Sequence, residues 1–194
     1  MSLAPWRSLL SSALHRNRSL VYSRYFQLAT VCLNGHPANR TVVFRGFVDD
    51  TNQLKIITDG RSQKIKQIQN QAWGEACWYF PKTREQFRLA GQLTLVGEGN
   101  TNPVLKTARQ TVWQELSDSA RLQFAWPCPG ITRDDKEGAF SPTPPDREKP
   151  LANFCLLLLE PLEVDHLELR GEPQNRWLYH LDSSQQWLRQ AVNP

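Results

Sequence analysis

The chain has 194 residues, of which 40% are hydrophobic, and a formal net charge of +4. A chain of this length suits one domain with a substantial core, and we expect residues 1–194 to form that single domain. The mild positive charge permits an anionic ligand, but no lysine-rich or arginine-rich block indicates a nucleic-acid-binding tail. No apolar run approaches the roughly 20 residues of a membrane-spanning helix. We therefore expect neither a nucleic-acid partner nor a membrane partner.

The residues that most often bind metals are scattered along the chain. The cysteines contain no CxxC pair, and the histidines lack the i, i+4 spacing or clustering of metal sites. We expect reduced thiols and no metal. The N-terminus carries Trp6 and Arg7 early and lacks a continuous apolar stretch, so we expect no signal peptide and a cytoplasmic location.

The first predicted element is a helix over residues 5–17. Pro5 can occupy its first turn, and its apolar residues recur at the spacing of one helix face: Trp6, Leu9, Leu10, Ala13 and Leu14. We expect this face to cover part of the fold. A helix that binds a partner is the alternative.

Three predicted strands follow. The first spans Phe26–Leu33 and turns at Asn34-Gly35. Runs rich in β-branched and aromatic residues at Arg40–Val48 and from Leu54 to Thr58 predict two consecutive antiparallel strands. The alternation along Arg40–Val48 would place Arg45 on a half-buried face, where it needs a partner such as an acidic side chain.

A helix is predicted directly after the third strand, with Ser62 as its cap. A helix start attracts anions because its N–H groups are unpaired and its dipole end is positive. Arg61 and Lys64 flank this start, and Arg40 can reach it if the strands fold back. This combination predicts a phosphate pocket. The alternative is that these cations are simply solvated.

The rest of the chain is mostly strand. Strands are predicted at 74–80, at 86–96 with a bulge or bend at Gly91, at 154–159 ended by Pro161, and at 164–169, 176–181 and 186–191. Helices are predicted from Asn102-Pro103 and from Ser117 to near Ala125. Many short strands with few helices indicate a small antiparallel barrel with flanking helices.

A long polar loop rich in proline is predicted over residues 127–150. Loops of this length inside a compact domain are usually functional or disordered. We expect a flap on the substrate side of a binding site, with disorder as the alternative.

Several segments, taken in order, resemble the pyridoxamine 5'-phosphate oxidase-like split barrels that bind FMN, and most closely a subgroup from cyanobacteria and plants. The resemblance is weakest between Asn100 and Leu151. It rests on Ser23–Val31, Gly35-x-Pro37, Arg40–Phe47, Ile57-Thr58, Ser62-x-Lys64, Phe80-Pro81, Arg84–Phe87, Arg176–Tyr179 and the end from Trp187 to Pro194.

The resemblance implies a mainly β fold with flanking helices, an antiparallel split β-barrel, and a homodimer with the flavin at the subunit interface. Gln86 would reach the flavin of the neighbouring subunit, or it is only the exposed first residue of an edge strand. Arg45, where the oxidase has a lysine, would face the substrate or the flavin ring. The implied FMN contacts are Arg40, Thr41, Val42, Val43, Arg45, Ile57, Thr58, Arg61, Ser62, Lys64, Gln86 and Arg176.

The chain departs from the oxidase where the resembling enzyme binds its substrate. Of the oxidase stretch Arg-Leu-His-Asp-Arg only the last residue is matched, at Arg176, and Glu172 and Gln174 stand at the positions of the first Arg and the His. A carboxylate there would repel a phosphate substrate. Three hypotheses follow: an FMN-dependent oxidoreductase acting on an unidentified small molecule, a genuine pyridoxine/pyridoxamine 5'-phosphate oxidase, and a non-catalytic flavin-binding or tetrapyrrole-binding protein.

Overall fold

A computed structural model describes residues 3–194 as an antiparallel sheet of eight strands with four helices. The helices are α1 (Pro5–Asn17), α2 (Gln63–Asn70), α3 (Pro103–Gln114) and α4 (Asp118–Leu122). The strands are β1 (Tyr25–Val31), β2 (Pro37–Val43), β3 (Leu54–Asp59), β4 (Trp73–Phe80), β5 (Glu85–Val96), β6 (Phe154–Glu168), β7 (Asn175–Leu181) and β8 (Trp187–Val192). Within these residues no helix is both long enough and apolar enough to cross a bilayer.

The sheet closes into a barrel. Its strand order is β2-β1-β4-β5-β6-β7-β8, and β3 pairs with the first half of β6. Backbone hydrogen bonds join Arg45 and Gly46 to Lys55, and an isolated bridge joins Phe47 to Leu54. These contacts connect β3 back to the chain that leaves β2, so the split barrel predicted from the sequence is confirmed.

The second and third predicted strands pair antiparallel only over a short stretch, at Arg45–Phe47 and Leu54–Lys55. β2 ends at Val43 instead of Val48, and β3 forms its ladder with β6. Gly46 has a φ of +102°, in the region that favours glycine, and the chain turns there. Residues up to Val43 pair with β1, and residues Arg45–Phe47 pair with the start of β3. The regular alternation of side chains between the two faces of a strand, expected through Val48, therefore does not hold.

The prediction that Pro161 ends the buried strand was also wrong, because β6 continues to Glu168. Pro161 lies opposite Gly91, where the register of the β5 and β6 pairing shifts. It also lies between the part of β6 that pairs with β3 and the part that pairs with β7. A proline has no N–H to donate, and a bulge at a change of partner is a place where none is needed. The bulge predicted at Gly91 is confirmed.

Two apolar clusters share β6. Leu157 and Leu159 belong to the cluster that fills the barrel, and Leu156 and Leu158 belong to the cluster under α3. β6 is therefore buried on both faces, as its continuous apolar run predicted. The apolar face of α1 joins the barrel cluster through its buried residues Trp6, Leu10 and Ala13.

The chain between α4 and β6 contains no helix or strand after a short 3₁₀ turn at Gln123–Ala125. Side chains of α3 hold its last part: the Trp113 indole donates to Asp146 O at 2.9 Å, and the buried Arg109 donates to Leu151 O at 2.7 Å. The first part, Trp126–Asp134, lies against the side of the barrel. We call these nine consecutive residues the strap.

Candidate functional site

One cavity of about 690 Å³ lies between β2, β3, the start of α2 and the strap. This volume is in the range of small-molecule and cofactor sites, roughly 300 to 1,000 Å³. Eight of the twelve residues predicted for the FMN site line it: Arg40, Thr41, Val42, Val43, Arg45, Ile57, Thr58 and Lys64. Two separate sequence segments, 40–45 and 57–64, therefore meet at one place.

Lys64 lies in the first turn of α2 and faces the end of β3. Its Nζ donates hydrogen bonds to Thr58 Oγ1 at 2.8 Å and Ser62 Oγ at 3.1 Å. Burial lowers the pKa of Lys64, the neighbouring Arg40 lowers it further, and Asp59 opposes them. No carboxylate within residues 3–194 forms an ion pair with it. Burial and Arg40 both disfavour the protonated, positively charged form of Lys64, and an anion bound beside it would favour that form.

Arg40 extends from β2 across β1 toward α2. Its Nη1 donates to Thr30 Oγ1 at 2.6 Å and Leu28 O at 3.1 Å, and its Nη2 donates to Gln67 Oε1 at 2.9 Å. Burial lowers the pKa of Arg40, partly offset by Cys32. Thr30 and Gln67 are buried and also bond to each other at 2.7 Å. They orient Arg40, and sequence reasoning missed both, since a polar residue on a predicted strand or helix carries no sign of its partner.

Arg45 lines the cavity at the turn after β2. Its Nε is buried and has no acceptor among the described residues, and no salt bridge to it occurs in that part of the chain. The acidic partner that a structural role would require is thus missing from residues 3–194. Burial lowers the pKa of Arg45, Tyr25 opposes this effect and Arg24 adds to it. Three cations, Arg40, Arg45 and Lys64, therefore border the cavity without a paired carboxylate.

Arg61 and Ser62 lie differently from the arrangement expected at a phosphate pocket. Arg61 borders a separate groove behind α2 and makes a two-pronged ion pair with Asp59, with Nη2 to Oδ2 at 2.6 Å and Nε to Oδ1 at 3.0 Å. Burial alone would raise the pKa of Asp59, but hydrogen bonds from Arg61 and Asn153 bring it below its usual value. Ser62 occupies the cap position of α2 without a side-chain capping bond, and its hydroxyl accepts a hydrogen bond from Lys64.

The strap forms the wall of the cavity opposite β2. All of its residues line the space, together with Phe140, whose ring meets that of Trp126 edge to face at 5.8 Å. The 127–150 loop thus contributes residues 127–134 and Phe140 to the cavity lining, and its role as a flap on the substrate side stays a prediction. Its individual residues carried no sequence signal, because an irregular loop has no periodicity from which to infer which side chains point inward.

Gln86 and Arg176 do not line the cavity in the single chain. Both lie on the outer face of the sheet, where Gln86 pairs with Leu167 and Leu167 with Arg176. Arg176 makes two hydrogen bonds to Asp165, at 3.0 and 2.7 Å. The same face continues in register through Cys77 and Gln27 to Thr41, which does line the cavity.

A second polar cluster lies at the other end of the barrel. Buried Glu85 accepts from Arg16 at 2.7 Å and faces His166 Nε2 at 3.1 Å, with Glu168 close by. Sequence spacing gave no sign of this group, because Arg16 comes from α1, Glu85 from β5, and His166 and Glu168 from β6. Arg16 of α1 already neutralises Glu85, so we interpret the cluster as an internal ion-pair network, and the absence of a metal stays a prediction.

Comparison with known proteins gives the family. The chain is 36% identical over 197 residues to pyridoxine/pyridoxamine 5'-phosphate oxidase 2 of Arabidopsis thaliana, which covers 99% of this chain and 98% of that protein. The chain belongs to the pyridoxamine 5'-phosphate oxidase FMN-binding family. Residues 3–97 match the family described as pyridoxamine 5'-phosphate oxidase, FMN-binding domain. The resemblance stated from the sequence, and the expectation that FMN is the cofactor of this domain, are confirmed.

Two solved structures share the whole fold. A crystal structure of a pyridoxamine 5'-phosphate oxidase-related, FMN-binding protein of Nostoc punctiforme is 65% identical with a TM-score of 0.97, over 100% of both chains. The structure of PhzG from Burkholderia lata, in complex with tetrahydrophenazine-1-carboxylic acid, is 17% identical with a TM-score of 0.76, over 96% of this chain and 91% of that chain. The second likeness concerns the fold alone.

Proposed function

We propose that this protein is an FMN-dependent oxidoreductase that acts on a small molecule and works as a homodimer. The observation that supports this proposal most is the set of cations around the cavity, Arg40, Arg45 and Lys64, which lack carboxylate partners within residues 3–194. A cavity lined in this way favours a ligand with several negative charges. FMN has a doubly charged phosphate and is the cofactor of the family domain.

The residues of the cavity fit such a ligand. Arg40 and Lys64 lie together beside the start of α2, where a phosphate would gain two charge-assisted hydrogen bonds and the helix dipole. Val42, Val43 and Ile57 supply apolar wall, and Arg45 with Tyr25 supplies polar groups elsewhere in the lining. When bound, FMN supplies two-electron transfer through its ring, while the protein binds it, orients it and admits the substrate.

The homodimer is supported by the outer face of the sheet. Thr41, Gln27, Cys77, Arg88, Asp165 and Leu178 lie in one register row across six strands. This row joins the cavity edge, at Thr41, to the strands that carry Gln86 and Arg176. Gln86 and Arg176 of one chain do not line that chain's own cavity. A second copy placed against this face would bring its own Gln86 and Arg176 toward the cavity of the first.

A genuine pyridoxine/pyridoxamine 5'-phosphate oxidase is the second candidate, supported by the similarity to the Arabidopsis protein of that name. The connection between β6 and β7 argues against it. Glu172 is exposed there and Gln174 is half-buried, at the positions where the oxidase has the substrate-binding Arg and His. Exchanging a cation for a carboxylate weakens binding of a phosphate ester.

Three measurements on the purified protein test the proposal. A yellow preparation that releases FMN on denaturation supports cofactor binding, and light scattering at twice the chain mass of 22.3 kDa supports the dimer. Turnover assays with pyridoxine 5'-phosphate and pyridoxamine 5'-phosphate then separate the two candidates. Rapid product formation with either substrate would favour the second. Reduction of the bound flavin by other small molecules, with neither vitamin oxidised, would favour the first.

We also propose that residues 1–194 act as one unit, since β6 takes part in both apolar clusters. A cytoplasmic location is part of the same proposal. All four cysteines are thiols in the structure, the state that the cytoplasm maintains.

A further inference from the structure

Two side chains bond to the segment that leads into the strap, and a third bonds to both of them. Arg61 Nη2 donates to Trp126 O at 3.0 Å and Phe124 O at 3.3 Å, and Asn153 Nδ2 donates to Phe124 O at 2.9 Å. Asp59 accepts from both, at 2.6 Å from Arg61 Nη2 and 2.9 Å from Asn153 Nδ2. We call Asp59, Arg61 and Asn153 the clasp.

We propose that Arg61 is a positioning residue that, through the clasp, holds the strap against the flavin and substrate cavity. What the strap covers rests on the proposed function, whereas the attachment itself follows from the contacts of the clasp. Arg61 therefore acts on the wall of the site and not on the phosphate.

The geometry of Arg61 favours this assignment over the phosphate contact expected from the sequence. Its guanidinium is already neutralised by Asp59, which is only 16% exposed, so a second anion would have to compete with that carboxylate. Its remaining contacts are the two carbonyl oxygens at the base of the strap. Lys64 and Arg40, by contrast, border the cavity and form no ion pair with a carboxylate of the described residues.

The clasp joins two parts of the chain that differ in their relation to the family. Asp59 and Arg61 lie within the matched residues 3–97, whereas Phe124, Trp126 and Asn153 lie beyond them. Asp59 is also part of the cavity lining, so the same carboxylate touches the binding space and fixes its opposite wall. Loss of the clasp should loosen the wall for every ligand, whatever its charge.

Riboflavin, which has the flavin ring but no phosphate, separates the two possible roles of Arg61. Flavin-free protein is titrated with FMN and with riboflavin, and the dissociation constants are compared. Arg61→Ala is expected to weaken both ligands by the same factor, whereas Lys64→Ala weakens FMN alone. Asp59→Asn added to Arg61→Ala should cause little further loss, since both act through one cluster. A loss confined to FMN in Arg61→Ala, or no loss for either ligand, would overturn the proposal.

Limited trypsin digestion of the flavin-free protein tests the attachment without any ligand. Arg133 and Lys136 are exposed, and we expect cleavage after them to become faster when the strap detaches from the barrel. Arg61→Ala and Asn153→Ala are expected to accelerate it by about tenfold, the effect of losing one charge-assisted hydrogen bond. Lys66→Ala, an exposed change on the neighbouring helix α2, is the control and should leave the rate unchanged.

Unchanged cleavage in both clasp variants, with their melting temperatures preserved, would contradict the proposal. This result does not depend on flavin binding. Failure of the clasp is thereby distinguished from failure of the proposed cofactor site.

Discussion

Replacing Lys64 by alanine tests the phosphate end of the cavity directly. Its ammonium group is held by two hydroxyl groups, Thr58 Oγ1 at 2.8 Å and Ser62 Oγ at 3.1 Å, and has no carboxylate partner in the described part of the chain. The charge is therefore available to a bound anion. Alanine removes this charge together with the two hydrogen bonds to Thr58 and Ser62.

The expected loss of FMN affinity follows from one charge-assisted hydrogen bond, worth about 1.5 to 3 kcal/mol. Arg40 is close enough to lower the pKa of Lys64, so part of the gain from the phosphate is offset by repulsion between the two cations. We therefore expect the lower part of the range, about 1.5 to 2 kcal/mol, or a dissociation constant raised roughly 10- to 30-fold.

Stability of the flavin-free protein should respond in the opposite direction. Removing a desolvated charge that has no counter-charge is neutral or stabilising. The melting temperature of Lys64→Ala without flavin is thus expected to stay the same or rise. A side chain that weakens the empty fold but strengthens ligand binding is the pattern of a binding residue.

Quenching of flavin fluorescence during titration of flavin-free protein measures the affinity. Lys66→Ala is the control, because Lys66 is exposed on the same helix. An unchanged FMN dissociation constant in Lys64→Ala would refute the reasoning, and so would an equal loss in the Lys66 control. A sharp fall in melting temperature would show instead that the lysine supports the fold.

Three further predictions address the charge, the fold and the assembly. The pKa of Lys64 is lowered in the free protein, and a bound anion raises it, so FMN binding takes up a proton at pH values near that lowered pKa. The affinity for FMN should therefore fall as the pH rises through the lowered pKa. Riboflavin has no phosphate, so its affinity should stay constant in the same pH titration. Gly91→Ala would place a Cβ 1.9 Å from Glu160 O, so we expect a loss of about 3 kcal/mol in urea unfolding, and a smaller loss than about 1 kcal/mol would contradict the bulge geometry. Gln86→Ala should weaken FMN binding although Gln86 does not line the cavity of its own chain, and unchanged affinity in a protein shown by light scattering to be dimeric would argue against the shared site.

The sequence predicted most of the elements, because each had a local signal. Asn102 was expected to cap α3, and its side chain accepts from the backbone N–H groups of Val104 and Leu105. The apolar run at 154–159 indicated a strand buried on both faces. What the sequence could not show was the partner of each strand. The pairing of β3 with β6 joins residues about 100 positions apart and depends on how the whole barrel closes.

The site divides in the same way. Arg40 and Lys64 were predicted from a helix start and from a family resemblance, and the structure places both at the cavity. Arg61 has the same charge and lies nearby in sequence, but its direction is set by Asp59, Asn153 and two backbone oxygens that no local pattern reveals. The sequence could not show which side chains of the strap face the cavity, because a loop without regular secondary structure has no periodic spacing.

A crystal structure of the protein with FMN would locate the phosphate and the flavin ring. We expect the phosphate within hydrogen-bonding distance of Lys64 Nζ and beside Arg40, with the strap closing the opposite wall of the cavity. A phosphate bound away from these two side chains, or a flavin located outside the cavity between β2, β3 and the strap, would contradict this expectation.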